Sequence, residues 1–547
     1  MVRNSTVAVL AAILFATAST GAGDSAGAGP VLMGLHVSNG SSRFAGDGPL
    51  LTTISPNSDG FRDRALIRFG LNRVASVRIT VNRTTGRLYP VYSRSYRLGP
   101  GRHTLVWAPR AGREPRTYLV RLVAVDREGR VRAYGATKAS TRREGPVIRV
   151  QGVDAAFRSL SYSPGQLAAL GVATDASELE VQLFRSGTEW QPTRGADVME
   201  GRPVTEPRTI SWHGRSSRRF LRLYLPGRLD SGLYFARLTA SDGRVGFAPF
   251  VLRPHRLGRT ARVAVVLPTS TWEAYNFNDI DGNGWGDTWY AGPSADPATM
   301  RVWFGRPFLD RGVPYHFRNY DLQFLHWLVW RHHEVEYLAD SDLGRFVGGR
   351  QLRRAYDLIV FPGHTEYVTS SVYRNVRQYR DLGGHLMFLS ANNLYWRVVQ
   401  RGRSIVRSGR WRDLGWPEAA TIGVQFLAND GGDHQRPFVV RRAGAVPWLF
   451  RHTGVHNGSR IGQFGIEIDG RAPSSPRGTH VIAEIPRLID GRTAQMTYYE
   501  GRNGAKVFAF GAFSMAGVAT QPPFATMLDN LWARLAPAEA TAPRRAR

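Results

Sequence analysis

In the N-terminal half of the chain, short apolar runs alternate with turn-forming residues. Residues 65–70, 77–81 and 117–125 place an apolar side chain at about every second position, which is the pattern of a strand with one buried face. Gly, Asn and Asp separate these runs at the spacing of a β-sandwich. We therefore predict two all-β sandwiches, at residues 31–141 and 144–255.

The pattern changes after residue 258. Residues 262–268 form a continuous apolar run, which is typical of a strand buried on both faces. Helical spacing of apolar residues follows at 320–330 and 372–382. Further strands are predicted at residues 334–338, 356–361 and 385–390. This alternation predicts an α/β domain at 259–535 with a mostly parallel sheet, whose functional loops lie at the carboxyl ends of the strands.

The N-terminus has the form of an export signal. Arg3 precedes an apolar run at residues 7–16, and small residues up to Ala22 suit cleavage by signal peptidase. We predict a signal peptide and leader at residues 1–29, and hence a secreted protein that could associate with the cell wall. The sequence contains no cysteine, which excludes disulfides and thiol nucleophiles. No later apolar stretch is long enough to predict a membrane span, and residues 536–547 predict a disordered tail.

The formal charge of +29 raises the question of a polyanionic partner. The excess comes from arginine, since Lys138 and Lys506 are the only lysines. The arginines are spread along the chain and do not form blocks with interleaved aromatic residues, so no specific nucleic-acid site is expected. An acidic cell-wall polymer is the nonspecific partner that this charge favours.

Residues 55–63, with the sequence SPNSDGFRD, resemble the start of a bacterial Ig-like module found in flagellar hook-capping proteins and other secreted bacterial proteins. The resemblance implies that the N-terminal sandwiches are Ig-like. Asn57, Asp59 and Gly60 tolerate a left-handed backbone and predict a turn. The same oxygen donors leave an added calcium role open.

Polar residues follow strands of the predicted α/β domain at three places. His364 and Glu366 come directly after the strand at 356–361, on an extended loop that puts both side chains on one side. Asn392 follows the next strand and Tyr275 follows the first one. Because the carboxyl ends of neighbouring parallel strands meet at one edge of a sheet, we expect these residues to share a crevice.

Together these motifs resemble the C-terminal domain of the large, or beta, subunit of N,N-dimethylformamidase. The resemblance covers residues 262–535. The matching segments are 274–276, 306–308, the helix of Asp321, 337–343, 363–367, Asn392 with 395–397, 452–454 and 465–469. The resemblance implies a glutamine-amidotransferase-like α/β fold and hydrolysis of a C–N bond in a small non-peptide amide.

The resemblance also implies a mononuclear iron held by two tyrosines and a glutamate. It assigns Tyr275 and Glu366 as ligands, with His364 and Asn392 as the nearby histidine and asparagine. Phenolate and carboxylate oxygens suit a hard ferric ion, which would polarise an amide carbonyl and acidify bound water. The candidates for the second tyrosine are Tyr290, which we favour, and the alternatives Tyr315 and Tyr320.

The segment between Tyr275 and Tyr290 departs from the family pattern. Residues 279–287 carry oxygen donors at loop positions one, three, five and nine and a glycine at position six, as an EF-hand calcium loop does. The donors are Asp279, Asp281, Asn283 and Asp287. Because Tyr290 stands where the EF-hand has its bidentate glutamate, an Asp/Gly-rich surface turn is the alternative to a calcium site.

Two functions of different classes remain open from the sequence. One is a secreted hydrolase of the dimethylformamidase family, a metal-dependent amidase. The other is a non-catalytic surface protein whose α/β domain binds a glycan or another cell-wall component. Metal content separates these hypotheses, whereas no motif identifies the substrate, a partner subunit or the oligomeric state.

Overall fold

The computed structural model describes residues 29–135, 145–189, 198–212, 218–291 and 300–537. The predicted signal peptide and most of the predicted C-terminal tail lie outside the described residues. Strands predominate over helices in the described residues. None of the helices described is long and apolar enough to cross a membrane.

The first all-β region packs two sheets around one apolar core. Its described strands are β1 Leu32–Ser38, β2 Leu51–Ile54, β3 Ala65–Leu71, β4 Ala75–Thr84, β5 Leu88–Leu98, β6 Gly101–Trp107, β7 Arg116–Asp126, β8 Val131–Tyr134 and β9 Val147–Val150. One sheet has the order β1-β3-β6, and the other has the order β2-β9-β7-β4-β5 with β8 paired to β7. Alternate side chains of β3 are buried, as the sequence pattern predicts.

Residues 55–63 form a hydrogen-bonded turn in this region. The carboxylate of Asp63 accepts the backbone N–H of Asn57 at 3.0 Å and that of Gly60 at 2.8 Å. Gly60 has a φ of +83°, a left-handed conformation that glycine adopts without steric cost. The motif therefore acts as a turn, and a calcium role for it stays a prediction.

The second all-β region shares part of its core with the C-terminal region. Its described strands are β10 Asp154–Phe157, β11 Ser161–Tyr162, β12 Leu167–Ala173, β13 Glu178–Ser186, β14 Gly201–Pro203, β15 Arg208–Ser211, β16 Arg219–Tyr224, β17 Gly232–Ala240 and β18 Val245–Leu252. They form the sheets β10-β12-β16 and β11-β18-β17-β13-β14, with β15 paired to β13. Leu233, Phe235 and Phe247 belong to the same apolar cluster as the C-terminal sheet, so both regions are needed to bury them.

The C-terminal region is built on a large sheet and a smaller one. Its described strands are β19 Val263–Leu267, β20 Val302–Trp303, β21 Glu336–Ala339, β22 Leu358–Phe361, β23 Tyr367–Val368, β24 His385–Phe388, β25 Trp396–Arg401, β26 Ser404–Arg410, β27 Gln425–Asn429, β28 Gln435–Val440, β29 Arg460–Gly470, β30 His480–Ile489, β31 Arg492–Glu500, β32 Lys506–Ala509 and β33 Ala512–Phe513. The large sheet has the order β21-β19-β22-β24-β32-β31-β30-β28-β29-β27, with β33 paired to β29. The smaller sheet has the order β20-β26-β25-β23.

The predicted mostly parallel sheet is a mixed sheet in the structure. Neighbouring strands from β21 to β32 pair in parallel, whereas those from β32 to β27 pair antiparallel. The reason is the length of the connections. Strands β30 and β31 are joined by residues 490–491 alone, and so short a turn can join only antiparallel neighbours.

Helices pack on both faces of the parallel part of the sheet. The described α-helices are α1 Thr269–Ala274, α2 Gln323–Trp330, α3 Gly349–Ala355, α4 Ser370–Asp381, α5 Ala419–Ile422 and α6 Phe524–Leu535. Val263, Val265 and Leu267 of β19 join the apolar cluster that contains α2 and α6. Ala264 and Val266 join the cluster that contains α3 and α4. Burial on both faces explains why the sequence of β19 is continuously apolar.

Candidate functional site

Three loops that follow parallel strands meet at one edge of the large sheet. Strand β19 leads through α1 to Tyr275, β22 leads to His364 and Glu366, and β24 leads to Asn392. These loops are neighbours because β22 pairs with both β19 and β24. The structure thus brings together the residues that the sequence predicts to share a crevice.

Tyr275 and Glu366 are joined by a direct hydrogen bond. The hydroxyl of Tyr275 donates to Oε2 of Glu366 at 3.0 Å. The backbone N–H of Glu366 donates to the hydroxyl of Thr271 at 3.1 Å, which ties the loop after β22 to α1. Burial raises the pKa of Glu366 to about 7. A cation bound beside this carboxyl group would favour its charged form.

Two more tyrosines extend this pair into the tyrosine–glutamate cluster, which consists of Tyr275, Tyr290, Tyr367 and Glu366. The hydroxyl of Tyr290 donates to that of Tyr275 at 3.1 Å and contacts the hydroxyl of Tyr367. The rings of Tyr275 and Tyr290 stack with centroids 4.5 Å apart. Burial and the charge of Glu366 raise the pKa of all three hydroxyl groups well above its ordinary value. A cation held among these oxygens would lower those pKa values again.

Glu467 on β29 supplies a second buried carboxyl group. Its Oε1 accepts a hydrogen bond from Nδ2 of Asn429 at 2.7 Å, whereas its Oε2 is buried and meets no partner among the described residues. Burial, and then the nearby charge of Glu366, raise the pKa of Glu467 to about 8. At neutral pH this side chain therefore carries a proton that it can donate.

Sequence reasoning does not single out Tyr367 or Glu467. Tyr367 could have been found from its position directly after Glu366, because it ends the motif at 363–367 that resembles the dimethylformamidase family. Glu467 lies in the motif at 465–469, but β29 belongs to the antiparallel part of the sheet. Since the local pattern contains no information about sheet order, only the tertiary structure brings Glu467 to the crevice.

Asn392 is held in a strained backbone conformation. Its φ is +56°, which is uncommon for a residue other than glycine. Its backbone N–H donates to the two carboxylate oxygens of Asp469 at 2.9 and 3.2 Å, and these bonds hold the strained turn. The side-chain amide interacts with Glu366 and Glu467, where it opposes the rise in pKa that burial causes. Asn392 therefore lies between the two carboxyl groups of the site.

His364 stands in an aromatic wall beside the tyrosine–glutamate cluster. Its ring centroid lies 5.5 Å from that of Tyr275 and 4.6 Å from that of Phe513. Successive ring contacts close a circle through Tyr275, Tyr315, His316, Tyr320, Phe513 and His364. Burial, and then the charge of His316, lower the pKa of His364 to about 3. The imidazole is therefore neutral at physiological pH and only weakly basic.

Both alternatives for the second tyrosine ligand lie in this aromatic wall. The ring of Tyr315 stacks on that of Tyr275 at 6.1 Å, and the ring of Tyr320 lies 4.9 Å from that of Phe513. Within the described chain, neither hydroxyl group bonds to the Tyr275–Glu366 pair. The geometry therefore favours Tyr290, whose hydroxyl does bond to Tyr275.

The segment before Tyr290 has the acidic grouping that the calcium prediction requires. One carboxylate oxygen from each of Asp279, Asp281 and Asp287 lies within 4.8 Å of the others. The Nδ2 of Asn283 donates to Asp281 at 3.1 Å. Burial raises the pKa of Asp279 to about 7. Three of the four predicted donors thus lie together, and a bound ion stays a prediction.

Arg306 fixes this loop against α1. Its guanidinium group donates to the carbonyl oxygen of Glu273 at 2.8 Å and to that of Asp287 at 3.0 Å. The guanidinium also lies 3.5 Å from the carboxylate of Glu273. Because Arg306 is 2% exposed, these partners offset a charge that would otherwise be costly to bury. Tyr290, three residues beyond Asp287, is thereby kept beside Tyr275.

The chain is similar in sequence to known proteins. The beta subunit of N,N-dimethylformamidase from Paracoccus aminophilus is 24% identical over 208 residues, which cover 32% of this chain and 27% of that subunit. The chain thus matches only about a quarter of that subunit's length. A solved structure of E. coli alpha-2-macroglobulin in its native conformation matches 40% of this chain and 16% of that one, with 11% sequence identity. Its TM-score of 0.23 is too low to indicate a shared fold. The family described as N,N-dimethylformamidase beta subunit-like, C-terminal, matches residues 217–520, more than half of the chain, and the chain belongs to this family.

Proposed function

We propose that this protein is a secreted, metal-dependent amidase that hydrolyses the C–N bond of a small non-peptide amide. Membership of the family supports a hydrolase, because the relative from Paracoccus aminophilus is named as a subunit of N,N-dimethylformamidase. The observation that carries the proposal is the Tyr275–Glu366 hydrogen bond inside a buried group of oxygen donors.

The donor set in the cluster fits a ferric ion. Tyr275, Tyr290 and Glu366 would hold it through phenol and carboxylate oxygens, which are hard donors. Because burial raises the pKa of both tyrosines, binding of the metal would be coupled to loss of their protons. The chemistry that such an ion supplies is polarisation of an amide carbonyl and a lower pKa for water.

The remaining side chains supply proton transfer and positioning. His364 is neutral because burial lowers its pKa, and its ring accepts a hydrogen bond that orients the attacking water, whose proton passes to solvent. Glu467 is protonated because burial raises its pKa to about 8, and it gives a proton to the leaving nitrogen. The amide of Asn392 stabilises the carbonyl oxygen of the substrate.

The finer features of the fold belong to the same proposal. We assign a glutamine-amidotransferase-like α/β fold to residues 259–535 and Ig-like folds to the two all-β regions. The sequence puts the boundary of these regions between 141 and 144, but β9 pairs with β2 and β7 and belongs to the first region. Residues 1–29 would be the signal peptide and leader, and 536–547 a disordered tail. After export, the positive charge of the chain favours retention by an acidic cell-wall polymer. Calcium in the loop before Tyr290 would stiffen the segment that carries this ligand.

Elemental analysis of the purified protein tests the metal site. We expect about one iron per chain in the wild type and its loss in Tyr275→Phe and Glu366→Ala. Tyr356→Phe is a matched control, because the hydroxyl of Tyr356 also donates to a buried glutamate, Glu336 at 2.6 Å, at the amino ends of β21 and β22. This control should keep its iron. A wild type without iron would contradict the amidase proposal and favour the non-catalytic surface protein.

An amide screen of the iron-loaded protein tests the proton transfer. Glu467→Gln should keep its iron and lose about 100-fold or more in kcat, because a glutamine cannot donate the proton. Glu484→Gln is the control, since Glu484 is paired with Arg441 at 2.9 Å away from the crevice. Equal activity in both variants would remove Glu467 from the mechanism.

A further inference from the structure

A cavity of about 390 Å³ lies between the first all-β region and the C-terminal region. On the C-terminal side it is bordered by Tyr275 of the cluster and Tyr315 of the aromatic wall. The opposite side is formed by the first all-β region, through Arg83, Thr85, Tyr89, Glu114 and Arg116. A ligand in this cavity would therefore touch the site and the N-terminal region together.

The hairpin formed by β4 and β5 is fixed against the site. The hydroxyl of Thr84 donates to the carbonyl oxygen of Gly284 at 2.7 Å. At the tip of the hairpin, a Cβ added to Gly86 would lie 3.1 Å from the carbonyl oxygen of Tyr290. The hairpin thus packs directly on the segment that carries Tyr290, so its side chains have a defined position beside the cavity.

The hairpin side of the cavity is rich in guanidinium groups that share few acidic partners. The guanidinium carbons of Arg83 and Arg87 lie 5.3 and 5.0 Å from the ring centroid of Tyr89, and of these two arginines Arg83 borders the cavity. Glu114 lies 3.0 Å from Arg116 and 3.7 Å from Arg83, so one carboxylate serves two cations. The Arg83–Glu114 pair is longer than a hydrogen bond, and Asp310 of the C-terminal region is the other carboxylate that borders the cavity. This wall therefore has donors to spare for an anionic ligand.

We propose that the cavity binds the anionic end of the substrate, and that Arg83 and Tyr89 select amides that carry a carboxylate. The reaction of such a ligand rests on the proposed amidase function, but its binding does not. The side chain of Arg83 is 41% exposed, so its guanidinium can meet a carboxylate, whose planar geometry it matches. The ring of Tyr89 holds this guanidinium by a cation–π contact. The amide end would then lie towards Tyr275.

Isothermal titration of the full chain with hippurate and hippuramide tests this inference. The two probes differ only in a carboxylate and a carboxamide. The wild type should bind hippurate about tenfold or more tightly than hippuramide, because a hydrogen bond to a charged group is worth at least this factor. Arg83→Gln should abolish the preference, and Arg83→Lys, which keeps the charge, should retain part of it.

Arg78→Gln is the matched control for the overall positive charge. Arg78 lies on the same strand, donates its Nε to Ser95 at 3.2 Å and does not border the cavity, so this variant should keep the preference. Equal binding of both probes by the wild type would overturn the inference. An equal loss in Arg78→Gln and Arg83→Gln would also overturn it, since net charge would then explain the effect.

Iron analysis of the same samples separates this inference from the proposed function. A preference for hippurate that depends on Arg83 in a protein without iron would support the anion site and contradict the amidase. Iron without such a preference would support the amidase site and overturn the anion site.

Discussion

The hydroxyl of Thr117 in the first all-β region donates a hydrogen bond of 2.6 Å to the carboxylate of Asp279 in the C-terminal region. Asp279 opens the loop that leads to Tyr290, so the N-terminal region supports one side of the candidate site. An apolar cluster crosses the same boundary and consists of Leu51, Leu119, Val147, Trp285 and Ala291. Polar and apolar contacts therefore hold the first all-β region against the loop that leads from Asp279 to Tyr290.

Thr117→Val should destabilise the protein by about 1–3 kcal/mol. Valine has a similar shape but cannot donate, so the buried carboxylate of Asp279 loses a partner. Chemical unfolding measures the change in free energy. Thr104→Val, at an exposed position on β6, should change stability by less than about 0.5 kcal/mol. Equal stability of the two variants would show that the inter-region bond contributes nothing.

Calcium should stabilise the folded protein through the loop at residues 279–287. At a free calcium concentration about 100 times the Kd, the gain would be about 2.7 kcal/mol. Asp281→Asn should remove this gain, because it removes a charged donor at an exposed position. Asp230→Asn, at a side chain that is 83% exposed and lies in neither candidate calcium loop, should keep it. Scanning calorimetry with calcium and with a chelator makes the comparison, and an identical Tm of the wild type in both would contradict a calcium site.

Gly363→Ala should destabilise the protein by about 1–3 kcal/mol and lower its iron content. An added Cβ would lie 2.4 Å from Oδ1 of Asp321 and 2.9 Å from Cγ of Pro268, so the loop that carries His364 and Glu366 must shift. Gly444→Ala is the control, since no atom lies within 4 Å of its added Cβ. Unfolding and elemental analysis measure both effects, and a variant that matches the control in both would disprove the close fit.

His333 should make the folded protein sensitive to acid. Its ring lies 4.1 Å from that of Trp532 and 4.7 Å from that of Trp327. Burial, and then the charge of Arg331, lower the pKa of His333 from 6.5 to about 4. Between these two values the unfolded chain binds a proton that the folded chain does not bind. The contribution of His333 to stability is therefore full above pH 6.5 and falls as the pH decreases towards 4.

His333→Phe tests this pH dependence. Phenylalanine can stack between the same two tryptophans but cannot bind a proton, so the loss of stability between pH 6.5 and 4 should become smaller. His480→Phe, at an exposed position on β30, should leave the slope unchanged. Denaturant unfolding at several pH values gives the slopes, and parallel curves for wild type and His333→Phe would refute the assignment.

Local sequence patterns predict the elements that position the site. The continuous apolar run of β19 is buried on both faces, as its composition predicts. The loops after β19, β22 and β24 meet at one edge, because parallel neighbours place their carboxyl ends together. Tyr275, Glu366 and Asn392 could therefore be predicted to lie close to each other from their positions after apolar runs.

The antiparallel half of the sheet could not be predicted in the same way. The runs that form β28 to β31 have the period of strands, but the period of a strand does not reveal which neighbour it pairs with. Sheet order places Glu467 of β29 near Glu366, as the effect of the Glu366 charge on the pKa of Glu467 shows. The position of Glu467 in the site is therefore a result of long-range pairing.

The sequence by itself determined the succession of strands and helices and excluded thiol chemistry. It also predicted that His364, Glu366 and Asn392 share one crevice. These features follow from periodicity and residue type, which act over a few positions of the chain. Only the tertiary structure decided that Tyr290 meets both Tyr275 and Tyr367, and that Arg83 of a distant hairpin borders the same cavity as Tyr275. The physical reason is that hydrogen bonds and burial depend on distances in space, and contacts between residues so far apart in the chain form only when the sheets pack together.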